Sequence, residues 1–439
     1  MLALQSPRPF ILGKLIVLIT FLSTFNGYSQ SWQTLNANTF SWRFEDMHFV
    51  DPDIGWVVDG GGQILKTTNG GQNWTQQFYD SDLYFRSVEF YNDQVGVAGT
   101  LANGNPTAQL LRTTDGGQNW EDITSNFPAN VLGICGISFA SENTIFITGV
   151  FYGQAYIMKS TDQGDNWTYQ SMASLANGLV DVYFKDENNG WAVGQSAQGT
   201  GLRAVILGTT NGGANWNVLA TANHNNQRAW KIQQLNDDVF YVSIEEFEPS
   251  PQYYKSTDGG QNWNLENVVT TNTSGTMQGI GFLTEDIGWI GGFNQLFYET
   301  LDGGQTWEYK PSVGSSFNRF QRVNDTLMYS SGTNVYRYAD ASLSIEEFEI
   351  NQPKGHTITI DGKVPVEGNT DIMVNLVNNT FAELSVYDIN GKRVQTISRG
   401  MKSSGDHHIS WETSSLTPGA YFLVLYTYHG YESIKVIVR

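Results

Sequence analysis

The sequence predicts an all-β protein, a seven-bladed β-propeller followed by a small C-terminal β-sandwich, and three observations lead there. An eight-residue phrase ending in tryptophan is written six times, with Trp74, Trp120, Trp167, Trp216, Trp263 and Trp307 separated by 44 to 49 residues, the period of a propeller blade. A seventh group of strands, ending Asn334-Val335-Tyr336-Arg337-Tyr338, lacks the phrase and its outer strand, and Ser31-Trp32-Gln33-Thr34-Leu35 at the other end of the chain has the pattern of that missing strand. After Ala341 the phrase stops, and alternating strands around Asn390-Gly391 take over, the signature of a hairpin in a small separate β domain.

The chain opens with 29 residues that carry Arg8 and Lys14, then a nearly continuous apolar run from Leu15 to Phe25, then a polar stretch. This reads as a secretory signal cut after Ser29, and the run is too short for a membrane anchor. The formal charge of the whole chain is −19, and loss of two basic residues with the leader makes the mature protein more acidic still. Such a surface repels nucleic acid and anionic lipid and argues against both as partners. The single cysteine, Cys135, excludes an intrachain disulfide framework and a cysteine zinc site; in Gly133-Ile134-Cys135-Gly136-Ile137 it reads as a small buried residue on an inner strand.

The phrase is first Thr67-Thr68-Asn69-Gly70-Gly71-Gln72-Asn73-Trp74, and its third position is Asn69, Asp115, Asp162, Asn211, Asp258 and Asp302 in turn. Apolar residues precede each copy, so it caps one strand and begins the next. The Asn or Asp is expected to accept hydrogen bonds from turn amides two residues on, the glycines to supply positive φ, and the tryptophan to pack on the neighbouring blade. A calcium site is the competing reading, weakened because one carboxylate per turn is available where a calcium loop brings several.

These copies resemble the Asp-box, Ser-x-Asp-x-Gly-x-x-Trp, of sialidases, sortilin-like propellers, xyloglucanase-type glycoside hydrolases and the photosystem II assembly factor family. Ser160, Asp162, Gly164 and Trp167 match it letter for letter, and the Thr-Asn/Asp-Gly-Gly phrasing elsewhere is similar to the photosystem-assembly-factor type. The resemblance implies a structural turn on the face opposite the usual binding site.

A second repeat, Ile54-Gly55-Trp56, Asn189-Gly190-Trp191 and Ile287-Gly288-Trp289, marks the turn between first and second strands. Each blade therefore has four strands, a to d, with the phrase at c–d, over 43–79, 84–125, 131–171, 178–220, 228–268, 275–310 and 316–338. The whole propeller spans 30–341. The d–a and b–c connections share one face, and the inner strands start there near the channel. Arg43, Glu45, Arg86, Arg228, Trp230 and Arg319 fall at those starts and are candidate ligand-binding residues at the pore mouth, for a carboxylate or sulfate. The competing reading is that the arginines pair with Glu45, Asp181 and others as solvated rim charges.

Ser342 to Glu347 reads as a linker into the last domain, 342–439. Its strand-Asp388-Ile389-Asn390-Gly391-Lys392-Arg393-Val394 hairpin, Leu416-Thr417-Pro418-Gly419-Ala420-Tyr421 strand and basic final strand resemble the type A C-terminal sorting domain of the type IX (Por) secretion system of Bacteroidetes. Glu349-Ile350-Asn351-Gln352-Pro353 departs from that family's usual opening. The resemblance implies type IX secretion machinery as a partner, export through the periplasm, removal of the domain, and a mature protein on the cell surface or released. A sandwich that merely binds a partner or packs on the propeller is the alternative. His407-His408 are adjacent on a strand, point to opposite faces and do not converge on a metal.

The functional expectation is a non-catalytic propeller binding a protein or glycan, with no cofactor, no metal and no catalytic residue assigned. No phosphate loop, zinc motif or serine elbow is present in the sequence. The alternative is a sialidase- or xyloglucanase-like hydrolase or a carbohydrate-binding enzyme, which would need two carboxylates about 5 to 10 Å apart at the channel mouth, with Glu45, Asp46 and Asp181 the candidates.

Overall fold

The structure, a computed structural model, describes residues 31–439 apart from 154, 198–200, 247–250, 269–274, 340–355, 362–364, 367, 389–392 and 428–429. The expected leader, the linker, the Glu349 to Pro353 stretch and the Asn390-Gly391 turn lie outside the described residues.

Seven four-stranded antiparallel sheets follow one another around a channel. Blade one is Phe44–Phe49, Gly55–Asp59, Gln63–Thr67 and Thr75–Tyr79, from channel to rim. The inner strands of the next six blades are Tyr84–Phe90, Gly136–Phe139, Ala176–Phe184, Gln227–Gln234, Met277–Phe282 and Arg319–Asn324. Blade seven takes its outer strand from the front of the chain: Ser31–Leu35 pairs antiparallel with Val335–Ala339, Ser31 opposite Ala339 and Leu35 opposite Val335. The strand is fixed by an aromatic anchor, since the Trp32 ring meets Trp289, Phe297 and Phe320 edge-on at 5.1, 5.7 and 5.8 Å. A sheet edge that would otherwise seek a partner is thereby closed within the molecule.

The turn phrase works through side-chain oxygens that stand in for backbone acceptors. In the first copy the Thr67 hydroxyl accepts the Gly71 amide at 2.9 Å and Asn69 Oδ1 accepts the Asn73 amide at 2.9 Å. The reach is four residues, longer than the two expected from the sequence, because Gly70 and Gly71 at φ 67° and 83° curl the chain back over the side chain. Where the third residue is aspartate the second carboxylate oxygen is also used, as in Asn119 Nδ2 to Asp115 Oδ2 at 2.7 Å. The Asn119 side chain and then its amide hold the Asp115 carboxyl down at about 2.

Each phrase also joins two blades. The Gly116 carbonyl receives Lys66 Nζ at 2.8 Å and Trp56 Nε1 at 3.3 Å from the preceding blade. Arg112 reaches the Gln163 carbonyl at 2.9 Å, Lys159 the Gly212 carbonyl at 3.0 Å and Trp191 the Gly260 carbonyl at 2.9 Å. The phrase tryptophans fill the same seams; Trp167 is 7 % exposed and packs among Val97, Ile123 and Phe127 of blade two. Face-to-face ring pairs continue the seam inward, with Phe49 on Tyr329 at 3.6 Å, Phe90 on Trp56 at 3.5 Å and Phe184 on Phe146 at 3.5 Å. This stacking explains the Gly-Trp repeat: a Cβ at Gly55 would stand 2.4 Å from the Phe49 ring, so only glycine leaves the phenylalanine room to lie flat.

The C-terminal strands form two sheets, Thr357–Asp361 with Asn369–Leu376 and Gly405–Glu412, and Arg393–Lys402 with Thr380–Asp388, Gly419–Thr427 and Gly430–Val438. They share a core of Ile372, Val374, Leu384, Val386, Trp411, Leu423 and Leu425, the alternate positions of their strands. This is the expected small sandwich.

Candidate functional site: the channel and its mouth

The channel is lined by the seven inner strands, and most of these share one irregularity. A break in pairing register falls between Phe44 and Asp46, Phe85 and Ser87, Leu179 and Asp181, Ala229 and Ile232, and Met277 and Gly279. A bulge of this kind inserts a residue, bends the strand and turns neighbouring side chains that would alternate toward the same side. Glu45 with Asp46, and Trp230 with Lys231, are consequently all buried, at 0, 2, 3 and 2 % exposure.

The first tier gathers Arg43, Arg86 and Tyr84 on one carboxylate. Glu45 Oε2 accepts Arg43 Nη2 at 2.8 Å and also Arg86 Nη1, while Oε1 accepts the Tyr84 hydroxyl at 2.8 Å. Arg43 continues to Gln278 Oε1 at 2.6 Å, Gln278 Nε2 to Glu245 Oε1 at 2.7 Å, and Glu245 Oε2 holds Arg228 at 2.8 Å. A chain of hydrogen bonds thus runs from blade two through blades one and six to blade five. Burial alone would raise the Glu45 carboxyl, but the Arg86 and Arg43 guanidinium groups bring it below its ordinary value.

The second tier crosses the channel. Arg319 of blade seven grips Asp181 of blade four with two parallel bonds of 3.0 and 3.1 Å, and its Nε lies 2.8 Å from Asp46 Oδ1. Burial opposes its charge, yet Asp181 and Asp46 raise its affinity for the proton. Trp230 donates to Asn318 Oδ1 at 2.7 Å, and Asn318 donates in turn to the Glu45 carbonyl. Further along, burial lowers His48 to about 4 and raises Glu89 to about 8.

The six residues proposed from sequence are therefore neighbours, but they lie in the channel rather than on a solvated rim, and the arginines reach carboxylates of the protein itself. Sequence reasoning missed Tyr84, Gln278, Asn318 and Lys231, which complete the network. The available signal was two consecutive polar or charged residues within an inner strand, as at Glu45-Asp46.

Aromatic rings form the mouth. Trp42 is 53 % exposed and stacks on Phe293 at 5.5 Å, with the Arg43 guanidinium 4.5 and 5.0 Å from the two rings. On blade three the exposed Tyr152 meets Phe151 edge-on at 4.6 Å, and Arg228 lies 5.7 Å from the Phe151 ring. Paired arginines thus support a face of accessible rings.

Comparison with known proteins bears on both the propeller and the C-terminal sheets. Residues 25–128 match the family described as "Photosynthesis system II assembly factor YCF48", and residues 364–439 match the "Secretion system C-terminal sorting domain". The chain carries a YCF48/BNR-type β-propeller and a C-terminal Por secretion-system sorting domain. Among relatives, the photosystem II assembly lipoprotein Ycf48 of Synechococcus sp. (strain CC9902) is 26% identical over 316 residues, covering 66% of this chain and 83% of its own. Two solved structures share the fold: "YCF48 bound to D1 peptide" (TM-score 0.53, 19% identity, 72% of this chain and 98% of that one) and YCF48 from Cyanidioschyzon merolae (TM-score 0.54, 18% identity, 70% and 98%). The YCF48-like propeller is thus coupled here to a domain that directs type IX sorting, which implies secretion or display at the cell surface. Among the described residues no helix is long and apolar enough to cross a membrane.

Proposed function

We propose that the protein is a secreted or surface-displayed, non-catalytic propeller whose channel-mouth face holds a polypeptide segment of a partner protein. The observation that carries this reading is the Trp42–Phe293 stack over Arg43, a guanidinium immobilised on its other side by Glu45 and Gln278. Rings held in place by a buried network offer contact area at little ordering cost on binding. The solved relative whose description names a bound peptide supports the choice of a polypeptide. Hydrolysis fits less well, because Glu45, Asp46, Asp181 and Glu245 each engage an arginine, and a carboxylate so held is a poor proton carrier.

A glycan is the second reading, favoured by the exposure of Trp42 and Tyr152, since flat accessible rings also stack on sugars. Peptide and glycan arrays probed with the full chain and with Trp42→Ala separate the two. The proposal expects peptide signals that the variant loses; glycan signals alone select the second reading, and turnover of xyloglucan or a sialoside reporter overturns both.

A further inference from the structure

Among the described residues, one channel cation, Lys231, makes no hydrogen bond through its charged group. Lys231 is 2 % exposed, and its ammonium has no hydrogen-bond acceptor within the described residues; the nearest carboxylate oxygen, Asp181 Oδ1, stands 3.8 Å away and is already bonded to Arg319. A buried ammonium carries three donors, and leaving them without acceptors is costly. The charge count points the same way. Arg43, Arg86, Arg319 and Lys231 bring four positive charges to the two tiers, against three carboxylates, Glu45, Asp46 and Asp181. The Arg228–Glu245 pair is neutral by itself. Among the groups in contact in these two tiers, the cations outnumber the carboxylates by one.

The surroundings of Lys231 suit a small anion. Arg86 lies over the ring of Trp230, the residue before Lys231, at 5.4 Å, and the Cys135 thiol packs with Val180 and Trp230. The buried neighbourhood therefore holds two cations, a thiol and an indole, which supply positive potential and soft, polarisable surface at reduced dielectric.

We propose that the channel binds one small monovalent anion of the halide class, held by the Lys231 ammonium beside Arg86 and Cys135. This site is distinct from the aromatic mouth and neutralises the protein's own surplus charge, so it acts as a structural ion of the ring. Bromide is the probe. Crystals of the full chain soaked in sodium bromide and measured at the bromine edge should show an anomalous peak within hydrogen-bond distance of Lys231 Nζ. Bromide should also raise the melting temperature relative to gluconate at matched ionic strength, by mass action on the folded state, and Lys231→Met should abolish that rise. If the methionine variant fails to fold, Lys231→Gln and the bromide peak of the unmodified chain decide the matter. Absence of a peak at Lys231, or an equal bromide response in a folded variant, overturns the proposal.

Discussion

Lys66 Nζ donates to the carbonyl oxygen of Gly116 at 2.8 Å, so the last side chain before one turn phrase is tied to the phrase of the next blade. The bond crosses a seam that no backbone ladder spans. Replacing Lys66 with methionine keeps the stem that lies along Trp56, 4.7 Å from ring to ammonium, and removes the donor. A loss of about 1 kcal/mol is expected in chemical denaturation, below the usual range for a charged hydrogen bond because the group is partly solvated. An unchanged midpoint would mean that the seam is held by ring packing alone.

Trp167→Ala should be far more damaging. The indole is buried between blades two and three, donates to the Gly164 carbonyl at 2.9 Å and meets Phe127 edge-on at 5.6 Å. Deleting such a ring costs about 3 to 5 kcal/mol. A variant that melts like the parent would remove the structural role assigned to the phrase.

Deleting residues 31–35 uncovers the edge of Val335–Ala339 and strips Trp32 from its aromatic nest. The expected result is aggregation or a lowered melting temperature, read by size-exclusion chromatography and thermal scanning. A soluble deletion of equal stability would show that six blades suffice.

Glu89 is expected to make stability fall as the pH rises. Burial pushes its carboxyl up to about 8, although the Phe139 amide, 3.2 Å from Oε1, works in the opposite direction. Between about pH 5 and pH 8 the unfolded chain has released this proton and the folded chain keeps it, so the equilibrium moves toward unfolding across that window. Glu89→Gln has no proton to lose, and its melting temperature should decline less from pH 5 to pH 8 than that of the parent. Parallel declines would assign the pH response to other groups.

The C-terminal sandwich should govern destination. Expression in a host with a type IX system, with and without residues 342–439, followed by fractionation, is expected to leave the truncated chain in the periplasm. Equal amounts of both forms outside the cell would contradict a sorting role.

The fold was legible because its determinants are local and repeated. A glycine that must admit Phe49, or a threonine that must cap Gly71, leaves the same letters in blade after blade. The channel was only partly legible. Arg43, Arg86 and Arg319 were visible as basic residues at strand starts, but their partners depend on bulges that no simple two-residue period anticipates. Glu45 and Asp46 would face apart on a regular strand, yet both are buried in the network. Asp181 and Arg319 meet across the ring, a contact set by closure geometry rather than by sequence proximity.

The pairing of Ser31–Leu35 with Val335–Ala339 also fixes an order of events in time. This strand, the earliest in the chain among those described, is among the last to find its mate, since its partner is synthesised only after the other six blades. Until then two strand edges stand open, and the entropy of joining them is that of a very long loop. The nascent propeller is therefore most vulnerable to wrong partners, and most available to holding factors, in the interval before its two ends meet.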